Sequence, residues 1–165
     1  MEKRKLVILM VILMGLLVPV SVLYASEFYQ QHNLVSDGFI KADNIDPQLV
    51  NGWGVAFNPN GPVWVNDNGT GVATLYDGHG VKQGLVVTIP PPNGGTPPSA
   101  PTGIVFNTTP DFQIIKGTPT SASVFIFATE DGTLSAWAPS VNPTNAILKV
   151  DNSEAENVCP VNPSN

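Results

Sequence analysis

One short pattern is written twice in this chain, and it confines the fold. Gly54-Val55-Ala56-Phe57-Asn58 recurs 49 residues later as Gly103-Ile104-Val105-Phe106-Asn107. Each copy is followed by an apolar run, a polar turn and a second apolar run. In the first these are Val63-Trp64-Val65, Asp67-Asn68-Gly69-Thr70 and Ala73-Thr74-Leu75-Tyr76. In the second they are Val124-Phe125-Ile126-Phe127-Ala128, Glu130-Asp131-Gly132-Thr133 and Leu134-Ser135-Ala136-Trp137. Such a period lies in the range of β-propeller blades, and propellers use about four to eight of them. The expected fold is all-β: a partial β-propeller of about two four-stranded antiparallel blades, preceded by an N-terminal signal peptide.

The pattern assigns strands to residues 54–57, 63–66, 73–76 and 85–89, then to 103–107, 123–129, 133–137 and 146–150. Short β-branched and aromatic runs bounded by Gly, Pro, Asn and Asp support this, and no stretch after residue 25 sustains helical spacing. The run Pro90-Pro91-Pro92-Asn93-Gly94-Gly95-Thr96-Pro97-Pro98 reads as a surface loop. Proline has no N–H to donate to a ladder. The connection 108–122 is longer than its counterpart 58–62. The chain divides into a signal peptide (1–25), a lead-in with one short strand (26–52), a first blade with its Pro-rich loop (53–100), a second blade (101–153) and an acidic tail (154–165).

The first 25 residues carry a basic start (Lys3, Arg4, Lys5), an apolar run over 6–23 and a small exit residue, Ala25. That is the pattern of a secretory signal, and the expected location is exported, periplasmic or extracellular. The run approaches membrane-spanning length, so a retained anchor is the rival reading. Gly15, Pro19 and Ser21 inside it favour cleavage. The remaining chain has four lysines and no arginine against twelve Asp and Glu, a net charge of about −8. Phosphate contacts come mostly from Lys and Arg, so nucleic acid is an unsuitable partner. An anionic membrane surface is equally unsuitable for the mature chain. The expected partner is an extracellular or periplasmic ligand or protein.

Strand alternation places the second-to-third-strand turns and the blade entrances on one face. Asn51, Trp53, Asp67, Asn68, Glu130 and Asp131 are the ligand-face candidates there, with Pro101 and Thr102 beside them. A propeller channel opens on such a face, where convergent polar groups form the default ligand site. The bland alternative is turn chemistry, since Gly, Asn and Asp suit tight hairpins for backbone reasons alone. Trp53 and Tyr76 could add to a binding surface. Trp53, Trp64 and Trp137 suit packing between sheets better, since buried aromatics dominate such cores.

Catalytic templates are absent from the sequence: it has no Gly-x-Ser-x-Gly elbow, no His-Glu-x-x-His and no phosphate loop. His32 and His79 read as loop and turn residues. Cys159 is the sole cysteine and excludes an intramolecular disulfide. Asn68-Gly69-Thr70 and Asn107-Thr108-Thr109 match the glycosylation sequon but read as turns.

Five ordered motifs carry a family resemblance: residues 33–37, 49–56, 62–78, 101–107 and 125–137. The chain resembles uncharacterised secreted β-propeller-like proteins of bacteria over roughly residues 29–153. Asn66 and Ala136 stand where that family has Ala and Gly. The resemblance implies a six-bladed-type propeller, related in shape to NHL-repeat and gluconolactonase-like proteins, with no settled activity. Family members continue well past residue 153, which implies a truncated frame or partial sequence here. A two-blade chain is then expected to aggregate or melt without cooperativity.

Two functions follow as expectations. One is a binding or scaffold propeller. The other is a divalent-metal lactonase or esterase of gluconolactonase type, in which Glu130, Asp67 and Asn68 would gather around a hard cation such as calcium.

Overall fold

Valine, tryptophan, phenylalanine and threonine crowd the short runs, and each expected run is a strand in the computed structural model of the protein. The structure describes residues 29–154 apart from Gly94, Lys116, Thr118 and Pro119. The expected signal peptide, Cys159 and all of the tail except Glu154 lie outside the described residues. The compact unit that holds all of the described strands begins at His32.

The lead-in holds β1 (Val35–Ser36) and β2 (Asn44–Ile45), paired in parallel. A first sheet follows: β3 (Gly52–Phe57), β4 (Val63–Asp67), β5 (Val72–Tyr76) and β6 (Lys82–Thr88). Then come β7 (Pro101–Phe106), a hairpin of β8 (Gln113–Ile115) and β9 (Thr120–Ala122), β10 (Phe125–Thr129), β11 (Thr133–Trp137) and β12 (Ile147–Asp151). The sheet orders are β3-β4-β5-β6 and β7-β10-β11-β12, each antiparallel throughout. The described fold is therefore all-β, with two four-stranded antiparallel sheets in blade order. Two features differ from the expectation. The lead-in carries two short strands instead of one, and the long connection holds the β8–β9 hairpin, to which the pattern assigned no strands.

Cross-strand partners share a face of a sheet, so the registers sort the side chains. On the first sheet Ala56, Trp64, Ala73, Leu75 and Val87 point one way, here called forward. On the second sheet Ile104, Phe106, Phe125, Phe127 and Trp137 point back at them. These residues form one continuous core. Trp64 lies 4.2 Å from Phe125 and 5.0 Å from Trp137, ring centroid to centroid. Such aromatic pairs contribute beyond their buried area.

Both rims of this stack are pinned. On the inner rim Gly54 faces β7 so closely that a Cβ would overlap the Thr102 carbonyl oxygen. Beside it the Asn66 amide donates to the carbonyls of Thr102 and Gly103, at 3.3 and 3.0 Å. On the outer rim Thr88 pairs with Asn145 in a parallel bridge, its N–H donating to Thr144 O at 2.9 Å. The hairpin β8–β9 covers the outer half of the second sheet's forward face, where Ile114 is buried with Ala136 and Ala138.

Candidate functional site

The turns and entrances meet on one face, as alternation requires. Asn51 adopts a left-handed backbone (φ 53°) that turns the lead-in into β3. Its side-chain amide donates to Asn68 Oδ1 at 3.0 Å, and its carbonyl accepts from Asn68 N at 3.2 Å. The Asn68 amide donates in turn to Pro101 O at 3.4 Å. In the second sheet Asp131 Oδ2 accepts from Ala100 N at 3.2 Å, and Glu130 N donates to Ala100 O at 2.9 Å. Both turns close on a left-handed glycine, Gly71 at φ 70° and Gly132 at φ 81°. Asn51, Asn68 and Asp131 thus serve the backbone of the entrances. The Glu130 and Trp53 side chains remain exposed.

Asp67 lies elsewhere. It ends β4, where the register opposes it to Val72, and its side chain turns rearward into full burial beneath the lead-in. Alternation puts Thr74 and Tyr76 of β5 on that same face. The Thr74 hydroxyl lies 2.6 Å from Asp67 Oδ2 and 2.9 Å from the Tyr76 hydroxyl. Tyr76 donates to Asp46 Oδ2 at 2.7 Å, and Lys82 Nζ donates to Asp46 Oδ1 at 2.8 Å and Gln48 Oε1 at 2.6 Å. A single buried file therefore runs Asp67–Thr74–Tyr76–Asp46–Lys82. It joins the lead-in to three strands of the first sheet.

The two carboxyls of this file titrate in opposite senses. Burial works against ionised Asp46, but hydrogen bonds from Lys82, Tyr76 and Gln48 N, with the Lys82 charge, hold it below its usual range. Asp67 is pushed up to about 7, first by burial and then by the Asp46 charge, against the opposing Thr74 hydrogen bond and Lys82 charge. Asp67 Oδ1 is buried and has no hydrogen-bond partner. The Tyr76 hydroxyl is also pushed up, by burial foremost.

Thr74, Tyr76, Asp46, Gln48 and Lys82 were not among the residues singled out from sequence, Tyr76 aside as a surface aromatic. Alternation along β5 was the available signal for Thr74 beside Tyr76. Nothing local in the lead-in placed Asp46 against them.

The donors do not fit the metal reading. Asp67 faces the lead-in, Asn68 and Asp131 are committed to backbone groups, and Glu130 is alone in solvent. No group of three or more His, Cys, Asp or Glu suited to a metal occurs among the described residues. His79 sits exposed in a turn that Asp77 organises, its carboxylate accepting from the N–H groups of His79 and Val81 at 2.8 and 3.0 Å. His32 pairs with Asp43 at 2.8 Å.

No family model matches the chain, and no solved structure matches it. It is similar to two proteins of Acanthamoeba polyphaga mimivirus, uncharacterized proteins R648 and L690. The identities are 36% and 34% over 115 residues, or 70% of this chain. The matched parts are 28% and 30% of those relatives, so the chain spans less than a third of their length. A shorter match, 47% over 45 residues, is to uncharacterized protein R640 of the same virus, 8% of its length. These relatives are viral and carry no stated activity.

Proposed function

We propose that this chain belongs to an exported β-propeller-type protein that acts as a binding or scaffold module, and that its forward face receives a further sheet of the same repeat. The supporting observation is an interface present once and offered again. Gly103 and Val105 are the repeat counterparts of Gly54 and Ala56. In the first sheet those two residues meet β7. In the second they meet no sheet: a Cβ on Gly103 would find only Ala128, at 3.8 Å, and Val105 is 55% exposed. Ile126, Ala128 and Leu134 line a shallow apolar depression beside them. The rear of the first sheet shows the converse. Val55 is 63% exposed, whereas its counterpart Ile104 is 7% exposed against the neighbouring sheet, and Phe57 is 62% exposed, whereas its counterpart Phe106 packs against the core. Contiguous exposed apolar surface of this kind marks interaction sites. The length of the viral relatives outside the match supports further sheets in proteins of this kind.

The test is sedimentation and dye binding by the chain, with Gly103→Ala and Val105→Asp as variants. Concentration-dependent self-association and binding of an apolar dye are expected, and both weaken in each variant. A monomer that binds no dye and melts sharply at a concentration-independent temperature overturns the reading. The lactonase reading has less support, because its donors do not converge. Metal-dependent lactone hydrolysis abolished by Glu130→Gln would restore it.

A further inference from the structure

The file of hydroxyls behind β4 and β5 can be counted hydrogen by hydrogen. Asp67 Oδ2 to Thr74 Oγ1, Thr74 Oγ1 to Tyr76 OH, and Tyr76 OH to Asp46 Oδ2 are three short contacts of 2.6, 2.9 and 2.7 Å. Each needs one hydrogen. Thr74 and Tyr76 carry one apiece. Asp46 supplies none, because it accepts at once from Lys82, Tyr76 and Gln48 N, as a carboxylate does. If Asp67 is also ionised, Thr74 spends its hydrogen on Asp67 and Tyr76 spends its own on Asp46. The 2.9 Å contact between the two hydroxyls is then left without a hydrogen. One proton on Asp67 completes the count: Asp67 donates to Thr74, Thr74 to Tyr76, and Tyr76 to Asp46.

We infer that Asp67 is a protonated carboxyl heading a relay that clasps the lead-in onto the first sheet, and that losing this proton loosens the clasp. The geometry explains the direction. The charged and titratable groups facing Asp67 are Asp46 from the lead-in, Tyr76 from β5 and Lys82 from β6. Lys82 already pairs with Asp46 at 2.8 Å. A second carboxylate would add an unpaired negative charge in the same buried space, with Oδ1 accepting nothing. Around the relay the lead-in is tied to the sheet by Asp46, by Gln48 and by Thr70, whose hydroxyl donates to Gln48 O at 2.8 Å, with Asn44 and Val50 bonded to it on either side. This role is independent of the proposed sheet docking, which concerns the opposite end of the stack.

The sign follows from linkage. A carboxyl raised from 3.8 to about 7 in the folded state binds its proton more tightly there than when released. The clasp is therefore firmest below about pH 4 as far as Asp67 is concerned, and the contribution of this proton is lost as pH rises to about 7. Between those limits clasp opening rises by up to about tenfold per pH unit, then levels off. Asp46, held low, stays ionised across this window.

Infrared spectroscopy of the full chain at about pH 6 tests the proton directly. A protonated-carboxyl band absent from Asp67→Asn is expected, and association of the chain does not hide it. Amide exchange at Asp46 and Leu49, corrected for intrinsic rate, should speed up with pH in the wild type and stay flat in Asp67→Asn. The amide keeps a donor toward Thr74 without a charge, so a failure of Asp67→Asn to fold would itself count against the clasp. Thr74→Val breaks the relay at its middle and should release the lead-in at every pH. Absence of the infrared band, or the same pH dependence of exchange in wild type and Asp67→Asn, overturns the inference.

Discussion

Gly54 and its repeat counterpart Gly103 should answer differently to the same added methyl. At Gly54 the new Cβ meets backbone, the Thr102 carbonyl and the Ile104 N–H, and backbone cannot swing aside as a side chain can. Gly54→Ala is expected to destabilise the chain by about 1–3 kcal/mol, the scale of overpacking. Gly103→Ala, with only Ala128 at 3.8 Å, should leave the denaturation midpoint unchanged while weakening self-association. Urea titration of both variants checks this, and equal losses would show that the repeat glycine serves its own strand and not its neighbour. At this scale the sequence was partly legible. The two glycines stood out by repetition, but which one is crowded depends on where β7 runs. The three tryptophans make the same point. Trp64 and Trp137 are buried between the sheets, as their sequence reading has it, and Trp53, the one of the three that suited either role, is exposed. Tyr76 suited a surface as an aromatic, yet its hydroxyl is buried in the clasp.

Strands were the most legible elements, because alternation and turn residues are local. All eight blade strands lie within a few residues of where the repeat puts them. The β8–β9 hairpin was not legible. Gln113–Ile115 and Thr120–Ala122 are too short to announce a period, and they pair because Ile114 can bury against Ala136 and Ala138. Ile114→Ala should therefore cost about 2–5 kcal/mol, as for other fully buried large-to-small changes. The loss should be accompanied by faster amide exchange within the hairpin. A cost below about 1 kcal/mol would mean that the hairpin contributes little to the second sheet. The lead-in behaved in the same way: its sequence offered only one short strand, and contact with β5 and β6 is what makes Asp46 and Gln48 a clasp.

For the molecule as a whole, Trp64 is the test of unity. It touches Phe125 and Trp137 across the interface, so Trp64→Ala removes packing from both sheets at once. A loss of about 3–5 kcal/mol is expected. Far-ultraviolet dichroism and tryptophan fluorescence should report one coincident transition. Two separate transitions would mean that the sheets unfold independently. The sequence by itself determined the all-β class, the two repeats, the strand positions and the face shared by turns and entrances. Each of these follows from period and turn chemistry within about a dozen residues. Tertiary structure alone decided that Asp67 leaves that face for the interior, that Thr74 and Tyr76 link it there to Asp46 and Lys82, and that one repeat glycine is crowded while the other is open. Those outcomes depend on which distant backbone lies opposite, and hydrophobic periodicity carries no record of it.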